Sequence, residues 1–189
     1  MKFQEEQGSK DPYEHCPAYE NDRFLLRLVS MDDAQSLLPC YSRPTDSVTA
    51  NAFNCTYGYG SQTVEEMRDV IRMWLEAYRA RGYVRWSVVD KRVGTAVGTI
   101  ELCKRQIADA CNGWGILRLD LGGAYERGAE IWEILSLLLA DLITMFDCTV
   151  IVTKAIPAAG ERIAALGRLG FARRDAEGAL YDGFWMLER

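Results

Sequence analysis

In AYERGAEIWE, residues 124–133, one guanidinium (Arg127) and one glycine (Gly128) stand where an apolar strand-like run hands over to the most apolar helix of the chain. These are the residue types a phosphate-binding turn uses. A cation meets the ligand's charge, and a glycine lets the backbone N–H groups at a helix start come close to an anion. The same ten residues carry Glu126, Glu130 and Glu133. Their charge has the wrong sign for that task, although a glutamate in a first helical turn also stabilises a helix that holds no ligand. Other chemistry-bearing types are sparse. The single histidine, His15, lies in a polar leading stretch, and Cys16, Cys40, Cys55, Cys103, Cys111 and Cys148 are scattered without a CxxC pair. Neither a metal site nor a disulfide framework is expected, and the cysteines read as reduced, buried small hydrophobes.

The elements that must position this turn follow from periodicity. Residues 1–22 are polar, interrupted by Pro12 and Pro17, and read as an N-terminal extension that lies across the body or stays partly mobile; residues 23–189 read as one domain. Order begins with FLLRLV at 24–29. Ser30 followed by Asp33 is a capping-box signature that opens a short helix damaged at Pro39. Residues 43–62, rich in Thr, Ser, Asn, Gly and Tyr, read as a long surface loop in which Phe53, Tyr57 and Tyr59 could line a pocket. A second helix spans about 63–81, with Val64, Met67, Ile71, Trp74, Leu75 and Tyr78 on one face and Gly82 at its C-terminal end. YVRWSVVD (83–90) and GTAVGTIELC (94–103) form an antiparallel hairpin, and GWGILRLDL (113–121) gives a third strand. A helix over 130–146, a buried strand over 149–156, a helix over about 160–168 and two closing strands complete the chain. The pattern is an α+β layer of helices on a mostly antiparallel sheet.

Length and composition narrow the function classes. With 189 residues and 49% hydrophobic content, the chain can bury a substantial core. A net charge of −5 with no clustered Lys or Arg argues against an electrostatic grip on nucleic acid or anionic lipid. No run reaches the roughly 18 uninterrupted apolar residues that span a bilayer, and no apolar leader opens the chain, so a cytoplasmic location is expected.

Four phrases in this order carry a resemblance: LRLVSMDDAQSL, AVGTIEL, GILRLDLGGAYERGAEIWEILSLL and LGRLGF at 166–171. Together they make the chain similar to the GNAT acyltransferase superfamily, in particular the branch that acetylates protein N-termini and some small amines. The resemblance implies a mixed sheet with helices on both faces, whose two central parallel strands, 117–121 and 149–155, splay apart. Acetyl-coenzyme A would lie in that split. Its pantetheine amides would pair with the backbone of Leu119 and Leu121, and its pyrophosphate would rest on Tyr125, Arg127, Gly128 and Ala129. Bulky Ile131 and Trp132 stand where small residues are usual, and Trp132 would cover or block the phosphate.

The catalytic positions depart further from the family. The carboxylate expected on the second splayed strand falls near Lys154, the tyrosine expected five residues before Phe171 is Leu166, and the asparagine that opens the last helix is replaced at Ala159 or Pro157. Attack of an amine on a thioester needs mainly orientation and a route for one proton, and Glu101 and Asp120 are the replacements the chain offers. Tyr181 and Asp182 close the sheet near the amine's approach. The expected activity is acetyl transfer to a primary amine, of a peptide or a small molecule. The competing reading is a binding or interaction domain of the same fold that has lost the chemistry; a plain structural domain contacting another subunit through 43–62 is the third. A homodimer is compatible with the sequence.

Overall fold

The computed structural model describes residues 11–42, 60–174 and 184–188. The expected loop, with Phe53, Tyr57, Tyr59 and Cys55, falls mostly outside them, as do Tyr181 and Asp182. In chain order the described elements are β1 (Tyr19–Glu20), β2 (Phe24–Leu28), α1 (Ala34–Tyr41), α2 (Val64–Arg79), β3 (Val84–Asp90), β4 (Thr95–Lys104), β5 (Gly115–Leu121), α3 (Gly128–Ser136), α4 (Leu139–Met145), β6 (Val150–Lys154), α5 (Gly160–Arg168), β7 (Ala172–Arg174) and β8 (Phe184–Glu188). The eight strands form one sheet in the order β1-β2-β3-β4-β5-β6-β8-β7. Every neighbouring pair is antiparallel except β5 and β6.

Helix starts obey local chemistry. Ser30 and Asp33 cap each other's backbone before a short 3-10 turn leading into α1, and Thr63 with Glu66 does the same for α2. The buried face of α2 is Met67, Ile71 and Trp74. The helix expected over 130–146 is two helices. It breaks at Leu137–Leu138, where Leu138 leaves helical geometry at φ −121°, ψ −18°. The unbroken apolar stripe concealed this, because both halves bury the same kind of face.

Residues 11–20 lie across the body. The Tyr78 hydroxyl donates to Pro12 O (2.9 Å), the Trp86 indole N–H donates to Pro17 O (2.9 Å), and Tyr19 pairs with Leu26 in the sheet.

Register separates the two faces of the central strands. Val84, Trp86, Val88, Ile100, Leu102, Leu117, Leu119 and Leu121 all belong to the apolar core that also takes in α3, α4 and α5. Arg85, Ser87, Thr99, Glu101, Arg118 and Asp120 are matched across β3, β4 and β5, since Arg85 pairs with Glu101, Ser87 with Thr99, Thr99 with Asp120 and Glu101 with Arg118. They therefore share the opposite face, the one on which Tyr41 of α1 and Trp74 of α2 meet their side chains. Gly98 makes the β4–β5 contact possible. A Cβ there would lie 2.3 Å from Asp120 O and 2.7 Å from Leu121 Cδ2.

Candidate functional site

β5 and β6 pair at only two positions, Gly115 with Ile151 and Ile116 with Val152. Beyond them the two strands run on without a ladder between them, so the sheet opens into a split bounded by the second half of β5 and the end of β6. A turn with small residues, Gly122, Gly123 and Ala124, leads from β5 to the N-terminus of α3. The helix begins at Gly128, with Arg127 as its extended N-cap residue, whose own side chain makes no capping hydrogen bond. Chain order thus brings the end of β5 beyond its ladder with β6 and a helix N-terminus to one place.

The occupants of this place were not foreseen. The Gly128 N–H donates to Glu161 Oε2 at 2.6 Å, so a carboxylate from α5 sits on the start of α3. A Cβ at residue 128 would come within 3.0 Å of that oxygen and 3.2 Å of the Glu161 carbonyl, which makes glycine the residue that fits. Beside it, the Arg162 guanidinium is buried against β5 and the turn that follows it. Its Nη2 donates to Leu119 O at 2.9 Å and also pairs with Glu126, while Nε reaches the second Glu126 oxygen at 3.3 Å. A buried cation needs such partners, because desolvation without them costs several kcal/mol. Glu126, Ile156, Ala158, Ala159, Gly160, Glu161 and Arg162 line the remaining cleft of about 240 Å3.

The other residues of the turn are distributed as follows. Arg127 and Ala129 are exposed at the helix start. Glu130 and Glu133 turn toward β2, where Arg23 pairs with both and Asn21 donates to Glu133 at 2.9 Å. Their charge is thereby compensated away from the split. The Tyr125 hydroxyl donates to Asp90 Oδ2 at 3.2 Å, and its ring packs edge-on against Phe24. The Arg92 guanidinium beside Asp90 holds that carboxyl well below the usual carboxylate range. Trp132 neither covers nor blocks the split. It lies on the outer side of α3, 38% exposed, with the Arg168 guanidinium 4.7 Å above its ring.

Glu101 and Asp120, the two carboxylates expected to carry chemistry, are joined through one side chain. Arg85 pairs with Glu101 and places Nη1 3.5 Å from Asp120 Oδ2. Asp120 is fully buried. It accepts from Arg118 Nε (2.7 Å) and from the Tyr41 hydroxyl (3.1 Å), which also lies 2.7 Å from Thr99 Oγ1. Burial foremost, and the Asp120 charge beside it, raise the Tyr41 hydroxyl pKa well above its ordinary value. Glu101 is the member of this cluster that reaches solvent, with 17% of its side chain exposed. Lys154, at the end of β6, is buried against the Phe184 ring, and burial lowers its ammonium pKa. Leu166 is core. His15 is exposed on the crossing segment.

The cysteines among the described residues are unpaired thiols, and burial pushes Cys16, Cys40 and Cys103 up to about 12. Among the described residues no group of His, Cys, Asp and Glu could hold a metal ion, and no helix is long and apolar enough to cross a membrane.

Sequence reasoning missed Tyr41, Arg85, Glu161 and Arg162. A signal for the first two was present. Arg118 and Asp120 alternate with three leucines in a strand covered on both sides, which requires buried partners of matching charge.

Comparison with known proteins agrees with this geometry. No protein-family profile matches the chain. Solved structures similar to it include a ribosomal-protein-S5-alanine acetyltransferase from Vibrio fischeri (16% identity, 91% of this chain and 96% of that one, TM-score 0.65). A ribosomal L7/L12 alpha-N-protein acetyltransferase in complex with coenzyme A aligns over 91% of this chain and 98% of its own at 12% identity, TM-score 0.66. A GNAT-family acetyltransferase from Bacillus anthracis aligns over 91% and 98% at 13% identity, TM-score 0.64. Among curated proteins, the uncharacterized N-acetyltransferase YoaA of Bacillus subtilis (strain 168) is 27% identical over 85 residues, a match that spans 44% of each chain. The fold is that of the GNAT acetyltransferases, an eight-stranded mixed sheet with one splayed parallel pair.

Proposed function

We propose that this chain, on its GNAT fold, transfers an acetyl group from acetyl-coenzyme A to a primary amine, either a peptide N-terminus or a small amine. The carrying observation is the split between β5 and β6 that runs into the N-terminus of α3. The Glu161 carboxylate on Gly128 N supports a fit to the cofactor, since it shows that this helix start accepts an anion. In this reading the backbone of Leu119 and Leu121 holds the pantetheine amides. Tyr125 shapes the turn through Asp90, while Arg127, Gly128 and Ala129 receive the pyrophosphate.

Acetyl-coenzyme A supplies the activated thioester carbonyl. The chain's own part is to hold an amine in line with it and to remove one proton. Glu101 is the carboxylate for that proton, because it alone of the pair meets solvent while Arg85 fixes its position. Asp120, enclosed by Arg118, Arg85 and Tyr41, keeps those groups in place beneath the acceptor side. The lowering of the Lys154 pKa by burial fits a region from which water is excluded.

The alternative, a binding domain without transfer activity, draws on the same split, because Arg162 and Glu161 occupy part of it. A thermal unfolding scan separates the two. Acetyl-coenzyme A at about 100 times its dissociation constant adds roughly 2.7 kcal/mol to the folded state. A clear upward shift, followed by amine-dependent release of free thiol, is the expected result. No shift at millimolar cofactor refutes the acetyltransferase reading.

A further inference from the structure

We infer that the first turn of α5 is an intramolecular stand-in for the cofactor, in which Glu161 takes the place of a phosphate and Arg162 the place of pantetheine, so that ligand enters by displacement. The inference rests on the acetyl-coenzyme A reading above. Two independent contacts lead to it. Glu161 Oε2 occupies the Gly128 N–H, the helix-start donor that an incoming phosphate would use. Arg162 Nη2 donates to Leu119 O, a backbone acceptor on β5 beyond the two positions at which β5 and β6 pair. The two side chains come from adjacent residues of the first turn of α5, and Arg162 is held separately by Glu126.

The two anchors differ in how firmly they hold. Arg162 is buried and paired with Glu126, whereas Glu161 is exposed and lines the open cleft. A phosphate arriving at Gly128 would meet a carboxylate of like sign, and the repulsion is relieved when Glu161 swings outward. Arg162 then loses its companion contact but keeps its charge beside Glu126, and a diphosphate offers it a second anionic partner. In this design a single carboxylate sets cofactor affinity from within the chain, and Glu161 is a negative determinant of binding.

The test compares coenzyme A with pantetheine, which lacks the phosphates, by isothermal titration on the full chain and on Glu161→Gln. Removing the competing charge should tighten coenzyme A by about tenfold, near 1.4 kcal/mol, and leave pantetheine within about twofold. Glu126→Gln serves as a second variant that leaves Glu161 intact; it frees Arg162 for the phosphates and should also tighten coenzyme A. If the unaltered chain binds coenzyme A and Glu161→Gln binds it equally or more weakly, the carboxylate is a helix brace and the inference fails while the cofactor reading stands. Equal tightening of both ligands also overturns it, since the gain would then come from a loosened split. If neither the chain nor either variant binds coenzyme A, the inference and the cofactor reading fail together.

Discussion

Two ion clusters flank β5, and they are built on opposite terms. On the side facing α1, Asp120 is enclosed by Arg118, Arg85, Tyr41 and Thr99, with each partner fixed in a strand or helix that is itself buried. On the side of the split, Arg162, Glu126 and Glu161 bridge a loop and the ends of two helices beside an open cleft. The first cluster has nowhere to go without unfolding the sheet. The second can exchange its partners for a ligand. The same residue types thus serve as structure where the register encloses them and as a displaceable contact where the ladder ends.

The largest expected effect tests the first half of that contrast. Asp120→Ala takes the carboxylate from the buried Arg118 guanidinium and leaves Arg85 with Glu101 alone, and it should cost about 3–5 kcal/mol in urea denaturation. A loss below about 1 kcal/mol would mean that water reaches the cluster, and the contrast would collapse. Next is Glu101→Gln, which keeps the shape and a hydrogen-bond acceptor for Arg85 while removing the base. Transfer should slow by about 100-fold in kcat, the range for a general base, with the unfolding midpoint little changed. Undiminished turnover in that variant would move the proton's route elsewhere.

How far the sequence alone reached depends on the range over which each feature is encoded. The capping box at Ser30, the start of α2 near Thr63, the hairpin of β3 and β4, and α5 over 160–168 are set by neighbours a few residues apart, and they are where local pattern placed them. The break at Leu137–Leu138 was hidden because hydrophobic spacing reports which face is buried and does not report backbone continuity. The crossing of residues 11–20 was only half legible. Pro12 and Pro17 do mark irregular chain, but their carbonyls are acceptors for Tyr78 and Trp86, partners 66 and 69 residues away. The Glu161 contact to Gly128 spans 33 residues and leaves no local pattern. A glutamate in a first helical turn is so common a helix stabiliser that its second role shows only in three dimensions.

The smaller effects sharpen the second half of the contrast, at the mouth of the split. Arg127→Ala removes an exposed cation from the helix start and should weaken coenzyme A by about 1.5 kcal/mol, the lower end for a hydrogen bond to a charged group because solvent screens it. An unchanged dissociation constant would leave the anion to the backbone alone.

Trp132 is the last and smallest case, and it separates position in sequence from position in space. Four residues beyond Gly128, it should overhang a bound phosphate if the helix presented that side to the split. Its ring instead stacks beneath Arg168 on the outer surface formed by α3 and α5. Trp132→Ala should therefore lower stability by about 0.5–1 kcal/mol, the range for an exposed cation–π pair, and leave the coenzyme A dissociation constant within about twofold. The readouts are independent, so each can fail alone. A tenfold change in affinity with intact stability would return the indole to the split and assign it, and not Glu161, as the group that the ligand must displace.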